Sequence, residues 1–250
     1  MTLLLRRVPL DEIVKKIVAA LQSAEESSGP ARLVEAVYRV RDQADLVRAH
    51  LQFLLSDPNR IAQAAQCAYW HVNGFLKLRL ASNDRFCLRL HIWPSGPNRR
   101  GDTEPHSHRW DFASWVAVGP GLLETYFTRT HSSDPGASAH VHYDYGRAAE
   151  DEPRLQSGLG VAWLRQEDVQ ERTAGAVYDC AHHMIHTVAP LGSDLIATVL
   201  LQGPKVTETT AVYRPFGTHV FDNLQRPVGT GEFAGLIGAV CDALTDEIPK

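Results

Sequence analysis

The sequence predicts a mainly β protein: an antiparallel sandwich or barrel with a helical layer at its N-terminal end and one helix at its C-terminal end. Three observations predict it. Short alternating or apolar runs recur between Asn73 and Arg214 at roughly 8–12-residue spacing, separated by Gly-, Pro- and Asp-rich turns. Ahead of them, three stretches repeat their apolar residues at helical spacing, and one more does so at the end. Helices first, then many strands, then one helix is the order of a layered β domain rather than of alternating α/β units. With no internal repeat and no low-complexity tract, we read residues 1–250 as one domain. Residues 1–72 form the helical layer, 73–215 the barrel and 216–250 a C-terminal extension with a helix.

The elements follow in order. Pro9-Leu10-Asp11 opens a first helix, with Asp11 as a cap. Leu10, Ile13, Val14, Ile17, Val18 and Leu21 give it one apolar face, and Ser27-Ser28-Gly29-Pro30 ends it. A second helical region covers residues 31–55 with a break near Arg41-Asp42, and a short helix covers 60–68. Residues 75–80 and 86–93 alternate as strands around the turn at residues 81–84. In the latter strand, Phe86, Leu88, Leu90 and Ile92 share one face, and Cys87, Arg89, His91 and Trp93 the other. Residues 94–102 read as a polar loop. An apolar run follows to Val118, closed by Gly119-Pro120-Gly121. Further strands are expected at 122–129, 139–145, 161–164, 175–178, 186–188, 195–202 and 210–214, with 166–173 left as a polar stretch. Phe233, Leu236, Ile237, Val240 and Leu244 form the apolar stripe of the last helix.

Composition narrows the function. A net charge of −4 gives no electrostatic reason to expect nucleic acid or an anionic membrane as partner. The four cysteines lie far apart without a CxxC pair, which favours reduced thiols and a cytoplasmic location over a disulfide scaffold or a zinc knuckle. Arg6-Arg7 follow a very short apolar run, the reverse of a secretory signal, and no run approaches the ~20 apolar residues of a membrane helix. Histidine is the outlier: seven of the 12 fall between His106 and His183, with His186 just beyond.

His106 and His108 stand two apart before the apolar run. On a strand, that spacing puts both imidazoles on one face, where they can converge on one metal ion. His186, opening a strand after a turn, is the candidate third ligand. No HExxH, GxSxG or Gly-rich phosphate loop is present. A rival pair, His140 and His142, lies on a polar strand and reads as surface-exposed. His182 and His183 sit in a loop, where they can shape a cavity mouth.

The segment from Glu104 to Ser114 resembles the first cupin motif, and residues 175–186 resemble the second. The likeness is to the cysteine dioxygenase-like branch of that superfamily. Residues 86–93 resemble the branch's strand ending in Trp. His106-x-His108, followed by Gly121-Leu122-Leu123-Glu124-Thr125-Tyr126-Phe127, resembles its HxH strand and the one after it. Tyr178 stands eight residues before His186, as the branch's Tyr stands before its third His. Asn73-Gly74-Phe75 and His108-Arg109-Trp110-Asp111-Phe112-Ala113-Ser114 are similar to bacterial cupins. The resemblance implies a double-stranded β-helix (jelly-roll) barrel and often a homodimer. It also implies a three-histidine site that usually holds Fe(II) and activates O2. Four features depart from it. The segment that carries the branch's substrate-binding Arg is not clearly matched. No Glu ligand follows His108. By alignment, Ala113 stands in place of the Cys, and Leu201 in place of the Tyr, that the animal-type thiol dioxygenases cross-link beside the metal.

These readings lead to a three-His Fe(II) cupin oxygenase acting with O2 on a small anionic or thiol-containing molecule. A non-redox Zn or Ni enzyme and a non-catalytic small-ligand-binding cupin stand as alternatives. Several side chains keep two readings. Arg89 and His91, with Trp93, either line the cavity and grip a substrate carboxylate or face solvent. His71 lies near the segment that carries the branch's substrate-binding Arg. Tyr178 either donates to O2 or substrate or only packs. Asp111 either orients a ligand imidazole through its second nitrogen or pairs with Arg109, and Glu104 takes either that orienting role or none.

Overall fold

The structure, a computed structural model, describes residues 30–71, 73–83, 85–96, 101–147, 153–155, 158–216 and 225–246. The helix expected over residues 10–21 lies outside the described residues. The second helical region is two helices, α1 (Pro30–Arg41) and α2 (Ala44–Leu55), broken at Asp42-Gln43. The third, α3 (Pro58–Ala65), starts where Asp57 accepts a bond from the Asn59 amide (2.8 Å) and Pro58 takes the first helical position. It ends short of Ala68, because Ala68–Trp70 is already a strand, β1, paired with β2 (Leu76–Ser82). The sheet therefore starts before residue 73.

The remaining strands are β3 (Cys87–Trp93), β4 (Asp102–His106), β5 (Trp110–Val118), β6 (Leu122–Thr130), β7 (Ser138–Arg147), β8 (Pro153–Leu155), β9 (Gly160–Arg172), β10 (Val177–Cys180), β11 (Ile185–Pro190), β12 (Ile196–Lys205), β13 (Thr209–Pro215) and β14 (Arg226–Pro227). Four antiparallel pairs are nested like a folded ribbon: β3 with β12, β4 with β11, β5 with β10, and β6 with β9. The pairs alternate between two sheets. One has the order β10-β5-β12-β3-β2-β1-β14, the other β13-β4-β11-β6-β9-β7-β8. A two-stranded ribbon wound this way is the double-stranded β-helix that the sequence led us to expect. In the second sheet β13 also pairs with β7, closing a six-strand ring.

Two differences from expectation have physical causes. β9 is one long strand running through the polar residues 166–172, because that half pairs with β6 while most of its side chains face solvent. β4 begins at the last residue of the expected loop and runs to His106. It is a strand only because β11 and β13 flank it, and its own composition gives no β signal.

The first sheet carries apolar residues on both faces. Leu88, Leu90 and Ile92 point away from the second sheet into a core shared with α1, α2 and the C-terminal helix α4 (Thr230–Asp246). Phe233, Ile237 and Val240 of α4 are fully buried there, so the helices from both ends of the chain form one layer. Gly119 and Gly121 flank the β5–β6 turn with φ of +95° and +122°. A Cβ on them would strike the carbonyl oxygens of Leu195 and Arg172 respectively.

Candidate functional site

The chain crosses from one sheet to the other between β4 and β5 and again between β10 and β11. These two crossings lie side by side: the His108 amide donates to the His182 carbonyl (2.9 Å). Asp111 accepts from both the amide and Nδ1 of His182, at 2.6 and 2.8 Å, so the turn leading into His186 is tied to the start of β5. His106 and His108 are not on one strand, as their spacing suggested. His106 is the last residue of β4, and His108 lies in the crossing segment. They converge because β4 ends at the seam and the chain turns there.

His186 is the register partner of His106 across β4–β11. The ring centroids of His106, His108 and His186 are 4.8, 5.1 and 5.0 Å apart, nearly equilateral. One nitrogen from each lies within 4.8 Å of the others, and this is the one such group of metal-ligating side chains among the described residues. The Nε2 atoms of His108 and His186 are 2.8 Å apart. Two nitrogens bound at about 2.0–2.1 Å to neighbouring positions of one ion sit roughly 3 Å apart.

Two of the three far nitrogens face an oxygen atom. His106 Nδ1 faces the Glu104 carbonyl (3.0 Å), and His186 Nδ1 lies 3.4 Å from Glu124 Oε1. A proton on Nδ1 suits both oxygens, and that tautomer leaves Nε2 with its lone pair for a ligand. Burial, and then its two histidine neighbours, hold the His108 pKa well below the ordinary value, so it is neutral, the state that binds metal. The donor set therefore fits a divalent metal ion.

Glu124 is the residue that reading the sequence missed. Its carboxylate is completely buried, accepts from Tyr126 Oη (2.8 Å) and Arg172 Nε (3.0 Å), and faces His186. Burial alone would push its pKa up, but His186, Tyr126 and Arg172 together outweigh that and hold it down, so it is ionised. A signal was present: Leu122, Glu124 and Tyr126 share the buried phase of β6.

Glu104 and Asp111 do not place a carboxylate on a ligand imidazole. The Glu104 carboxylate meets Arg214 Nε at 2.7 Å, while its backbone carbonyl takes the orienting position on His106. Asp111 is committed to His182. The rival pair also corrects expectation: His140 is buried and His142 stacks on Tyr213 (centroids 4.9 Å apart), because β7 closes the ring against β13. Ala113 and Leu201 are register partners across β5–β12, and both sit in the core under the helices, not beside the three histidines. Alternation puts Phe112 and Gln202, also partners, on the cavity side instead.

The histidines stand where two chambers meet. The inner one, with about 690 Å3 of atom-free space including its mouth, is lined by Phe75, Trp93, Leu122 and Val188 at one end and by Phe112 and Tyr178 at the other. Arg89 and His91 face this chamber together with Trp93 and Lys77, and His71 lines the outer chamber. Burial, then Lys77, depress the pKa values of both His71 and His91, which are neutral. His91 Nε2 and Arg89 Nε are buried without a hydrogen-bond partner. Tyr178 is the register partner of Ser114, and burial raises its pKa well above the ordinary value, so it remains a phenol that can donate.

No family model and no curated protein matches the chain. Solved structures do match. A cupin domain from Bordetella pertussis is 14% identical, covering 52% of this chain and 93% of its own, with a TM-score of 0.30. An RmlC-like cupin protein from Ralstonia eutropha is 11% identical over 63% of this chain and 73% of its own, TM-score 0.31. Hydroxypropylphosphonic acid epoxidase from S. wedmorenis is 12% identical over 52% and 51%, TM-score 0.27. The fold stands on the strand order itself. Fold and site together define a jelly-roll barrel with three histidines gathered, and oriented from behind, around a point where a metal ion can be held. No helix among the described residues is long and apolar enough to cross a membrane.

Proposed function

We propose that this chain is a mononuclear metal-dependent oxygenase that holds Fe(II) on His106, His108 and His186 and acts on a small anionic or thiol-containing molecule. The observation that carries the reading is the pairing of two opposed walls. Three imidazoles with inward Nε2 atoms face a wall bearing Lys77 and Arg89, and none of the described residues lining that inner chamber is an acid. Three neutral ligands leave the ion its full positive charge and leave coordination positions open, which favours an anionic substrate. Bound Fe(II) supplies O2 activation. The chain's own groups do the rest. Lys77 and Arg89 hold the anion, the Tyr178 hydroxyl donates a hydrogen bond, and the aromatic walls exclude water from the metal side.

The test is metal content and oxygen uptake. Protein purified with Fe(II) should carry close to one ion per chain, and His106→Ala, His108→Ala and His186→Ala should each lose it. Oxygen consumption on adding small carboxylates or thiols supports the oxygenase reading. Turnover that proceeds equally without O2, with Zn or Ni bound, rejects it in favour of a non-redox metal enzyme, since three histidines also serve catalytic zinc.

A further inference from the structure

The inner chamber is not uniform, and its asymmetry narrows the ligand class. Lys77, Arg89 and His91 lie on the adjacent strands β2 and β3: Lys77 is the register partner of His91, and Arg89 is two residues along the same face. Gln202 of β12 joins them from the next strand over. Arg89 Nε, His91 Nε2 and the Gln202 side-chain oxygen are all buried without a partner. A buried, unpaired guanidinium nitrogen beside a second cation is costly, and a ligand oxygen relieves it. His91 adds no charge of its own, because burial and the two cations keep it neutral, so it serves as a hydrogen-bonding group. This patch opposes the histidines across the space between the sheets.

Next to the patch is a separate apolar cluster. Phe75 and Trp93 stack with centroids 4.6 Å apart, and Leu122, Ile196 and Val188 complete the cluster. Phe75, Trp93, Leu122 and Val188 also line the chamber, so this is an apolar surface presented to a ligand rather than sealed core. Small polar anions gain nothing from such a surface. A side group that covers it gains roughly 25 cal/mol for each Å2 removed from water.

We propose that the inner chamber takes a monocarboxylate bearing an aryl or branched-alkyl group, with its carboxylate on Arg89, Lys77 and His91 and its apolar group against Phe75, Trp93, Leu122 and Val188. The proposal rests on the functional reading above for the identity of the chamber, but its test does not need the metal. Isothermal titration on metal-free protein compares 3-phenylpropanoate, acetate and the neutral 3-phenylpropan-1-ol. The phenylpropanoate should bind at least tenfold more tightly than either of the others. Arg89→Met should erase the preference for carboxylate over alcohol. Leu122→Trp should erase the preference for phenylpropanoate over acetate while acetate binding stays the same. Val188→Phe narrows the same end from a half-buried position and serves where Leu122→Trp does not fold. Acetate binding as tightly as phenylpropanoate, the alcohol binding as tightly as the acid, or both narrowing variants keeping the aryl preference overturns the proposal. Loss of metal binding with these preferences intact would sink the oxygenase reading and leave the ligand class standing.

Discussion

Glu124 Oε1 lies 3.4 Å from His186 Nδ1, and both residues are sealed from solvent. The contact sets one of the three candidate ligands against a buried carboxylate that also accepts from Tyr126 and Arg172. Replacing Glu124 with Gln keeps the volume but removes the negative charge that faces His186 Nδ1. Metal affinity should fall about 10–100-fold, measured by competition with a chromogenic chelator. Affinity within twofold of the parent would show that the contact does not orient the ligand.

Asp111 acts on the same histidine through the backbone. It clamps His182, four residues ahead of His186, with two bonds. Asp111→Ala should cost about 1.5–3 kcal/mol of stability, as expected for losing bonds to a charged acceptor, and should speed amide exchange in residues 181–186. Unchanged exchange there would place the role of Asp111 elsewhere.

Stability should fall as the solution is acidified below neutrality. His91 is buried neutral, so its folded pKa lies below the unfolded value of about 6.5. Between those two values the unfolded chain binds a proton that the folded chain refuses. Stability is therefore lost as pH falls through about 6.5, by up to roughly 1.4 kcal/mol per pH unit, until the folded pKa is reached. His71 adds a loss of the same sign. Urea midpoints between pH 5 and pH 8 measure the slope on metal-free protein, and His91→Gln should make it shallower.

The helical layer should be separable from the site. Phe233 of α4 is completely buried against the core shared with α1 and α2. Phe233→Ala should cost about 3–5 kcal/mol by urea denaturation while leaving metal affinity unchanged below the transition. A parallel loss of affinity would mean that the layer holds the first sheet in the shape the ligands require.

What the sequence disclosed follows from how local each feature is. Alternation in residues 86–93 put Arg89, His91 and Trp93 on one face, and the structure turns that face to the chamber. The open question was which face is inside, and that depends on the helices covering Leu88, Leu90 and Ile92. Spacing singles out His106 and His108, and the place of His186 at the start of a strand after a turn singles out the third, although His106 and His108 do not meet on one strand. Glu124 was passed over because Leu123 and Phe127 are apolar too, so β6 shows no clean alternation until β11 and β9 pair with it on either side. Ala113 and Leu201 were set beside the metal by alignment. One residue of offset in a strand sends a side chain to the opposite face, and here it sends both under the helices.

The crossing segments have a mechanical consequence. His106 belongs to one sheet, His108 to the bridge leading into the other, and the turn before His186 is hooked to that bridge. An ion bound by all three histidines is thus a rivet through the seam where the ribbon passes between sheets. Prising the sheets apart at that end would require breaking it, so a loaded barrel resists splaying there by the full binding free energy.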